Sequence, residues 1–495
     1  MLCKPRSELV RWFSSLVRDS AFVDGQWQKA ASGATFQVTN PANGQVVGTV
    51  PNCDVEDAKR AVEAAKAAFK VWGFETTARE RHDYLLKWHK LVMQNQEELA
   101  TIMTTEQGKP MVESRGEIAY GAGFLEWFGE EARRIDGEII PPAAKGRQIL
   151  IYREPIGVAA MITPWNFPSS MITRKAGAAL ASGCTCVVRP AEDTPLSALA
   201  LAALVEEAGL PKGVFNVVTS DRSNAGPIGK YFCETTDIGA VSFTGSTAVG
   251  KLLLKQSADT VKRVSLELGG NAPFVVFNSA DPDAAVTGAM ASKFRNSGQT
   301  CVCANRLLVQ SDIYEAFVGK LRQSVDKLVV GDGCAPGTTQ GPLINHKAVD
   351  KVERLVKDAV SKGAKVIMGG KRHDQGENFY QPTILADVTP DMDIFWEEVF
   401  GPVAAIVKFN SENDAVDMCN RVRVGLAGYF YSRDLSQIFR VARRMEVGMV
   451  GVNEGIISAP EAAFGGVKES GIGREGSHHG IDEYTNIKYV CLGGL

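Results

Sequence analysis

A chain of 495 residues, 45% apolar and 22% charged, has the makeup of an ordinary soluble globular protein with room for about three domain-sized units. Its formal net charge of −3, with no basic block or stripe, argues against nucleic acid as a partner, and no apolar run is long enough to span a membrane. Ten scattered cysteines, with no CxxC pair and no histidine at zinc spacing, indicate free thiols rather than a disulfide scaffold or a metal site.

Met1–Ser20 carries Lys4, Arg6, Arg11 and Arg18 among serines and bulky apolar residues, without the continuous apolar core of a secretory signal. It reads either as the remnant of a mitochondrial presequence, against which Glu8 and Asp19 count, or as a plain N-terminal helix. The mitochondrial matrix and the cytoplasm both follow as compartments. Phe22 to Trp27 reads as a hairpin turning at Asp24-Gly25. Asp54 caps a helix whose apolar residues Val55, Ala58, Val62, Ala65, Phe69 and Trp72 recur at helical spacing. Further amphipathic helices are expected across 80–95 and 113–134, and a strand at 149–152.

From residue 156 strands and helices alternate. Strands are expected at 156–163, 184–188, 214–218, 238–243 and 264–266, with helices at 169–181 and 195–208. A second alternating set runs from about 274 to 450, with strands at 307–309, 403–409 and 449–452 and a helix at 312–328. Such alternation means α/β architecture, parallel sheets covered by helices on both faces, with ligands beyond the carboxyl ends of the strands. The β-prone tail 485–492 is expected to pair with 149–152 or with another subunit. Gly471-Ile-Gly473-Arg-Glu-Gly476 matches GxGxxG but follows no apolar strand, so it is rejected as a dinucleotide fingerprint.

Chemistry-bearing residues fall at the strand ends. Gly298-Gln299-Thr300-Cys301 follows a probable helix and presents a thiol that can act as a nucleophile. Thr163-Pro164-Trp165-Asn166-Phe167-Pro168 is a rigid loop whose amide can donate to a developing oxyanion, an interaction of about 3–4 kcal/mol. Phe243-Thr-Gly245-Ser246-Thr-Ala-Val-Gly250 opens a helix whose N-terminus suits a pyrophosphate, and it lacks the lysine of a P-loop. Arg189-Pro190-Ala191-Glu192 offers a carboxylate to an adenosine ribose. Glu267, at an apolar strand end beside Gly269-Gly270, should have a raised pKa suited to a general base.

These segments resemble the aldehyde dehydrogenase superfamily from about Phe22 to Leu495. ITPWNFP, FTGSTAVG, LELGGN, GQTC and EEVFGP occur in that family's order and spacing. Within it, the branch acting on succinic semialdehyde is the most similar, through MITRK at 171–175, KFRNSGQTCVCANR at 293–306, GPLIN at 341–345, VGVNEG at 450–455 and REGS at 474–477. The resemblance implies two doubly wound, Rossmann-like α/β domains, one cofactor-binding (21–135 and 153–267) and one catalytic (268–452). It adds a small β oligomerisation arm (136–152 and 480–495), after an N-terminal extension at 1–20. A homo-oligomer, dimer or tetramer, is implied.

By the same resemblance, Cys301 adds to an aldehyde, Asn166 and the Cys301 backbone hold the oxyanion, and Glu267 activates the water that releases the acid. Gly245, Ser246 and Gly250 are assigned to the cofactor's pyrophosphate side and Glu192 to its adenosine ribose. Glu398 is assigned to the nicotinamide ribose and Phe400 to the ring, with Lys175 and the backbone from Ile162 to Trp165 on the cofactor path. Glu192 favours NAD. Arg189, where the family usually shows Lys, can pair with a 2′-phosphate, so NADP stays open. Arg174 and Arg295 are implied to hold the distal carboxylate of the aldehyde, since two buried guanidinium groups call for an anion. A serine of relatives aligns with Ala459, and the adjacent Ser458 is the candidate substitute. Cys301 and Cys303 are a candidate disulfide switch. Glutarate semialdehyde, and a non-catalytic NAD-binding structural protein of this fold, are the alternative readings.

Overall fold

The computed structural model describes residues 15–495, so most of the N-terminal extension lies outside the described residues. Two large sheets dominate. The first has eight strands, whose parallel centre runs in the order Phe215–Val217, Thr185–Arg189, Val158–Ile162, Ile238–Thr244 and Arg263–Glu267. The hairpin Ala21–Val23/Gln26–Gln28 adds antiparallel to one edge, turning at Asp24 (φ 54°) and Gly25 (φ 67°), the left-handed pair such tight turns require. Gly471–Ile472 closes the other edge, antiparallel to Leu266–Glu267, and no strand–turn–helix unit surrounds it.

The central strands are buried on both faces and read as apolar runs, as fully covered parallel strands must. The helix Val55–Phe74 lies against this sheet. Asp54 accepts from the amides of Glu56 and Asp57, and Asp57 returns the contact to the Asp54 amide. Helices Ala78–Gln94, Met111–Glu131, Ser170–Ala181 and Pro195–Ala208 cover another part of the same core.

The second sheet has seven strands in the order Lys365–Met368, Thr383–Ala386, Val403–Phe409, Ala304–Gln310, Ala272–Val276, Ala427–Tyr431 and Met449–Val452, all parallel except the first. A third, three-stranded sheet joins Thr485–Gly493 to Arg147–Pro155 over nine paired positions, with Glu138–Ile140 beyond. Its outer strand exposes Ile487 and Tyr489. Among the described residues no helix is long and apolar enough to cross a membrane.

Candidate active site

Cys301 is reached through a strained turn. After the helix Pro282–Lys293 the backbone takes left-handed values at three successive residues, Asn296 (φ 51°), Ser297 (φ 55°) and Gly298 (φ 75°). Two of them carry a Cβ, and each such residue costs roughly 1–3 kcal/mol unless its surroundings fix it. Here they do. The Asn296 amide donates to Glu113 Oε2 (2.9 Å), and its side chain joins Gln107 (3.1 Å) to the Asn166 carbonyl (3.0 Å). Ser297 Oγ donates to the Gly341 carbonyl (2.7 Å). A Cβ at Gly298 would collide with the Gly401 carbonyl, so only glycine fits there.

Two cavities of about 290 Å³ each share Cys301 in their walls. One is lined by Trp165, Asn166, Thr244, Gly245, Ser246, Glu267, Lys351, Glu398 and Phe400, among others. Asn166 Nδ2 donates one hydrogen to the Gln299 carbonyl (3.0 Å), while its Oδ1 has no partner. Both carboxyl oxygens of Glu267 and the Thr244 hydroxyl are also sealed in without a partner. Burial, then the nearby Glu475 charge, pushes the Glu267 carboxyl well above its ordinary range. Burial likewise pushes the Cys301 thiol up to about 12, with Arg174 opposing. Glu398 accepts the Gly270 amide (3.1 Å), its carbonyl accepts Lys351 Nζ (2.6 Å), and burial lifts its carboxyl to about 7. Phe400, at φ 56°, meets Trp165 edge-on with centroids 5.7 Å apart.

The second cavity is ionic at its wall. It is lined by Lys109, Glu113, Glu117, Tyr120, Arg174, Arg295 and Ser458, with Phe167, Met171, Ile456 and Phe464 as apolar walls. Lys109 Nζ donates to Glu117 Oε2 (2.6 Å) and to the Asn166 carbonyl (2.7 Å), and sits 4.0 Å from the Phe167 ring centroid. Glu117 Oε1 accepts the amides of Ser169 (2.9 Å) and Ser170 (3.1 Å), where the helix carrying Arg174 begins. Arg174 is 1% exposed, pairs with Glu475, and lies 4.3 Å from the Phe464 ring centroid. Arg295 differs: it rests 5.4 Å from the Phe167 centroid and makes no hydrogen bond or ion pair with any described residue.

Arg174 lines this cavity, and its partner Glu475, far along the chain, is shared with Lys175, so one carboxylate faces two cations. Arg295, on the same wall, has no ion pair with any described residue. Several other residues named from the sequence stand off both cavities. Lys175 is tied to Glu475 and to Ser242 Oγ (2.9 Å). A Cβ on Gly250 would strike Leu268, so that glycine serves helix–strand packing. Arg189 is buried and donates to Glu192 (3.0 Å), to Ser220 Oγ (2.9 Å) and to the carbonyls of Ser220 and Asp221. Ile162 ends its strand and lines neither cavity. Cys303 is buried beside Cys301, its thiol against the carbonyls of Lys293 (3.5 Å) and Ala304 (3.6 Å). The contributions of Lys109, Glu113, Glu117, Tyr120 and Glu475 were not anticipated. Helical spacing of 113, 117 and 120 was the available signal, and nothing local marked Glu475.

The family model for the aldehyde dehydrogenase family matches residues 27–490. The chain is 58% identical to the mitochondrial succinate-semialdehyde dehydrogenase of Homo sapiens, over 97% of its own length and 90% of that protein's. It is 54% identical to the glutarate-semialdehyde dehydrogenase of Pseudomonas aeruginosa and 52% identical to an NADP(+) succinate-semialdehyde dehydrogenase of Escherichia coli, over 97% of this chain and 99% of each. A solved succinate-semialdehyde dehydrogenase from Burkholderia pseudomallei superposes with a TM-score of 0.95 at 54% identity, covering 97% of this chain and 98% of that one. The motifs, the two-sheet fold and these likenesses agree: the chain belongs to the aldehyde dehydrogenase family.

Proposed function

We propose that this protein oxidises succinic semialdehyde to succinate, with NAD as the preferred cofactor. The observation that carries the reading is Arg295, an unpaired guanidinium on the wall of a cavity that ends at the Cys301 thiol. A guanidinium offers a carboxylate two parallel hydrogen bonds, so the acid end of a short semialdehyde is held while its carbonyl reaches the sulfur. Relatives named for succinic semialdehyde support the same substrate.

The first cavity fits a nicotinamide dinucleotide: it opens at the start of the helix Thr247–Gln256, and its wall holds polar groups with no protein partner. When bound, that cofactor accepts the hydride lost by the substrate carbon. Cys301 gives up its proton to solvent water, and its sulfur bonds the aldehyde carbon as the carbonyl π bond opens to an oxyanion. The free hydrogen of Asn166 Nδ2 and the Cys301 amide hold the oxyanion. Loss of hydride leaves Cys301 acylated as a thioester, which water can still attack. Glu267 takes the proton from that water, the carbon–sulfur bond breaks, and the acid leaves with Cys301 restored.

Glu192 beside Arg189 supports NAD over NADP, because a 2′-phosphate would meet a carboxylate. The exposed strand Thr485–Gly493 supports assembly into a homo-oligomer, and the basic N-terminal segment, with the mitochondrial relatives, supports the matrix. The Cys301–Cys303 pair is proposed as a reversible switch: peroxide removes two electrons, both thiols lose their hydrogens, and a disulfide blocks the nucleophile. Inactivation restored by dithiothreitol should be absent in Cys303→Ala.

A second reading, glutarate semialdehyde as substrate, is favoured by the 54% identity to a relative named for that aldehyde. Values of kcat/KM for three- to six-carbon acid semialdehydes and for neutral aldehydes, each with NAD and with NADP, test both. A maximum at four carbons supports the proposal. Equal rates for neutral aldehydes overturn it.

A further inference from the structure

The helix Met111–Glu131 turns Glu113, Gly116, Glu117 and Tyr120 toward the ionic cavity, positions that fall on one helical face. Two of these residues have clear structural work. Glu117 pairs with Lys109 and caps the next helix, and Glu113 anchors the Asn296 amide. Tyr120 has no such task. Its ring packs edge-on against Phe124 with centroids 4.9 Å apart, and its hydroxyl is sealed from solvent within reach of the Arg174 guanidinium, a donor, with no acceptor for its own proton. The positive charges of Arg174 and Arg295 both bear on it, and burial holds the phenol protonated.

A phenol carries one donor and two acceptor sites, whereas guanidinium groups only donate. The cations around Tyr120 can thus satisfy its lone pairs but never its proton. That proton needs an acceptor, and the anionic end of a bound ligand is the group this cavity lacks. Thr300 Oγ1 is also buried without a partner, but it adjoins the thiol and so belongs to the aldehyde end.

We propose that Tyr120 is a specificity-determining residue whose hydroxyl donates to the substrate carboxylate alongside Arg295 and Ser458. This rests on the acid-semialdehyde reading above. One carboxylate, with four lone-pair directions, accommodates the paired donors of Arg295 and both hydroxyls together.

Tyr120→Phe keeps the ring against Phe124 and removes only the hydroxyl. The ratio of kcat/KM for succinic semialdehyde to that for butanal is expected to fall about tenfold, with the loss in KM for the acid rather than in kcat, as expected when a hydrogen bond to a charged group is removed. Inhibition by succinate should weaken in parallel. If the two aldehydes lose equally, or if the ratio does not move, the proposal is overturned. The failures separate cleanly: a wild-type enzyme that ignores the charge of its aldehyde breaks the substrate reading. A selective wild type with an indifferent Tyr120→Phe breaks only the role of Tyr120.

Discussion

The two cavities that meet at Cys301 enclose the same volume, about 290 Å³, and are built by different means. The cofactor-side wall is made of short consecutive segments: 164–166 after one strand, 244–246 after the next, 267–269 after a third, and 398–400 from the second sheet's approach. Four of its polar atoms, Asn166 Oδ1, Thr244 Oγ1 and both Glu267 carboxyl oxygens, are left unpartnered. The acid-side wall is made of side chains brought from distant positions and already paired with one another, Lys109 with Glu117 and Arg174 with Glu475. Against that background a single open cation, Arg295, stands out. A site for a large conserved-shape ligand can be assembled from backbone and strand ends. Selecting the charge of a small one takes cations that outnumber their internal counter-ions, as Arg174 and Lys175 sharing Glu475 and the unpaired Arg295 do here.

The comparison breaks first at the shared residue. Cys301→Ser should lower turnover at least about 10⁴-fold, since removal of a covalent nucleophile costs a reaction most of its acceleration. Cofactor binding, read by fluorescence titration, should persist, because the thiol is not part of the polar wall. Next comes the internal pairing. Glu117→Gln leaves the Lys109 ammonium buried without its anion, and losing one partner of such a pair costs about 3–5 kcal/mol. The denaturant midpoint should drop accordingly, whereas a midpoint unmoved would mean that Lys109 is not held charged. Arg295→Ala should reduce kcat/KM for succinic semialdehyde about 10²-fold and leave butanal within a few-fold, which sharpens the contrast between the paired cations and the open one.

The same contrast explains what was legible in the sequence. Strand-end motifs are local, so Asn166, Gly245, Glu267 and Cys301 could be placed from adjacent letters and from the alternation of strands and helices. The helix Pro195–Ala208 has the bounds expected from the sequence, with its proline in the first turn. Pairings made by folding leave no local trace. Nothing near Arg174 announces Glu475, the carboxylate it shares with Lys175. The left-handed run 296–298 was equally hidden, because Asn296 and Gly298 tolerate such backbone without demanding it and Ser297 disfavours it; Asn296 and Ser297 are held there by Glu113, Gln107 and Gly341.

Proton affinity separates the shared thiol and the base from the fixed cation. Burial raises Cys301 to about 12, so the thiol rests protonated at neutral pH, and it raises Glu267 as well, whereas the chemistry needs the thiolate and the carboxylate. The deprotonated fraction of a raised acid grows with pH, by tenfold per unit at most while pH stays below its pKa. Arg295 keeps its charge throughout. Hence kcat/KM should climb from pH 7 to pH 9 with KM for the acid steady, as a pH–rate series would show. A flat profile would mean that cofactor or substrate binding has already removed those protons.

The smallest effect belongs to the far end of the cofactor path. Glu192→Ser removes the carboxylate that accepts from Arg189, leaving that guanidinium held by Ser220 and Asp221 and newly available to a 2′-phosphate. Asp193 works against the gain. Burial and the neighbouring Glu192 charge push its carboxyl up to about 6, so deleting Glu192 lets Asp193 ionise more fully at pH 7 and repel the same phosphate. The two changes partly cancel, and the NADP-to-NAD ratio of kcat/KM should rise only about tenfold, equivalent to about 1.4 kcal/mol. Glu192→Ser combined with Asp193→Asn should exceed that. If the single variant already gives the full shift, Asp193 does not face the phosphate, and Glu192 alone sets the preference.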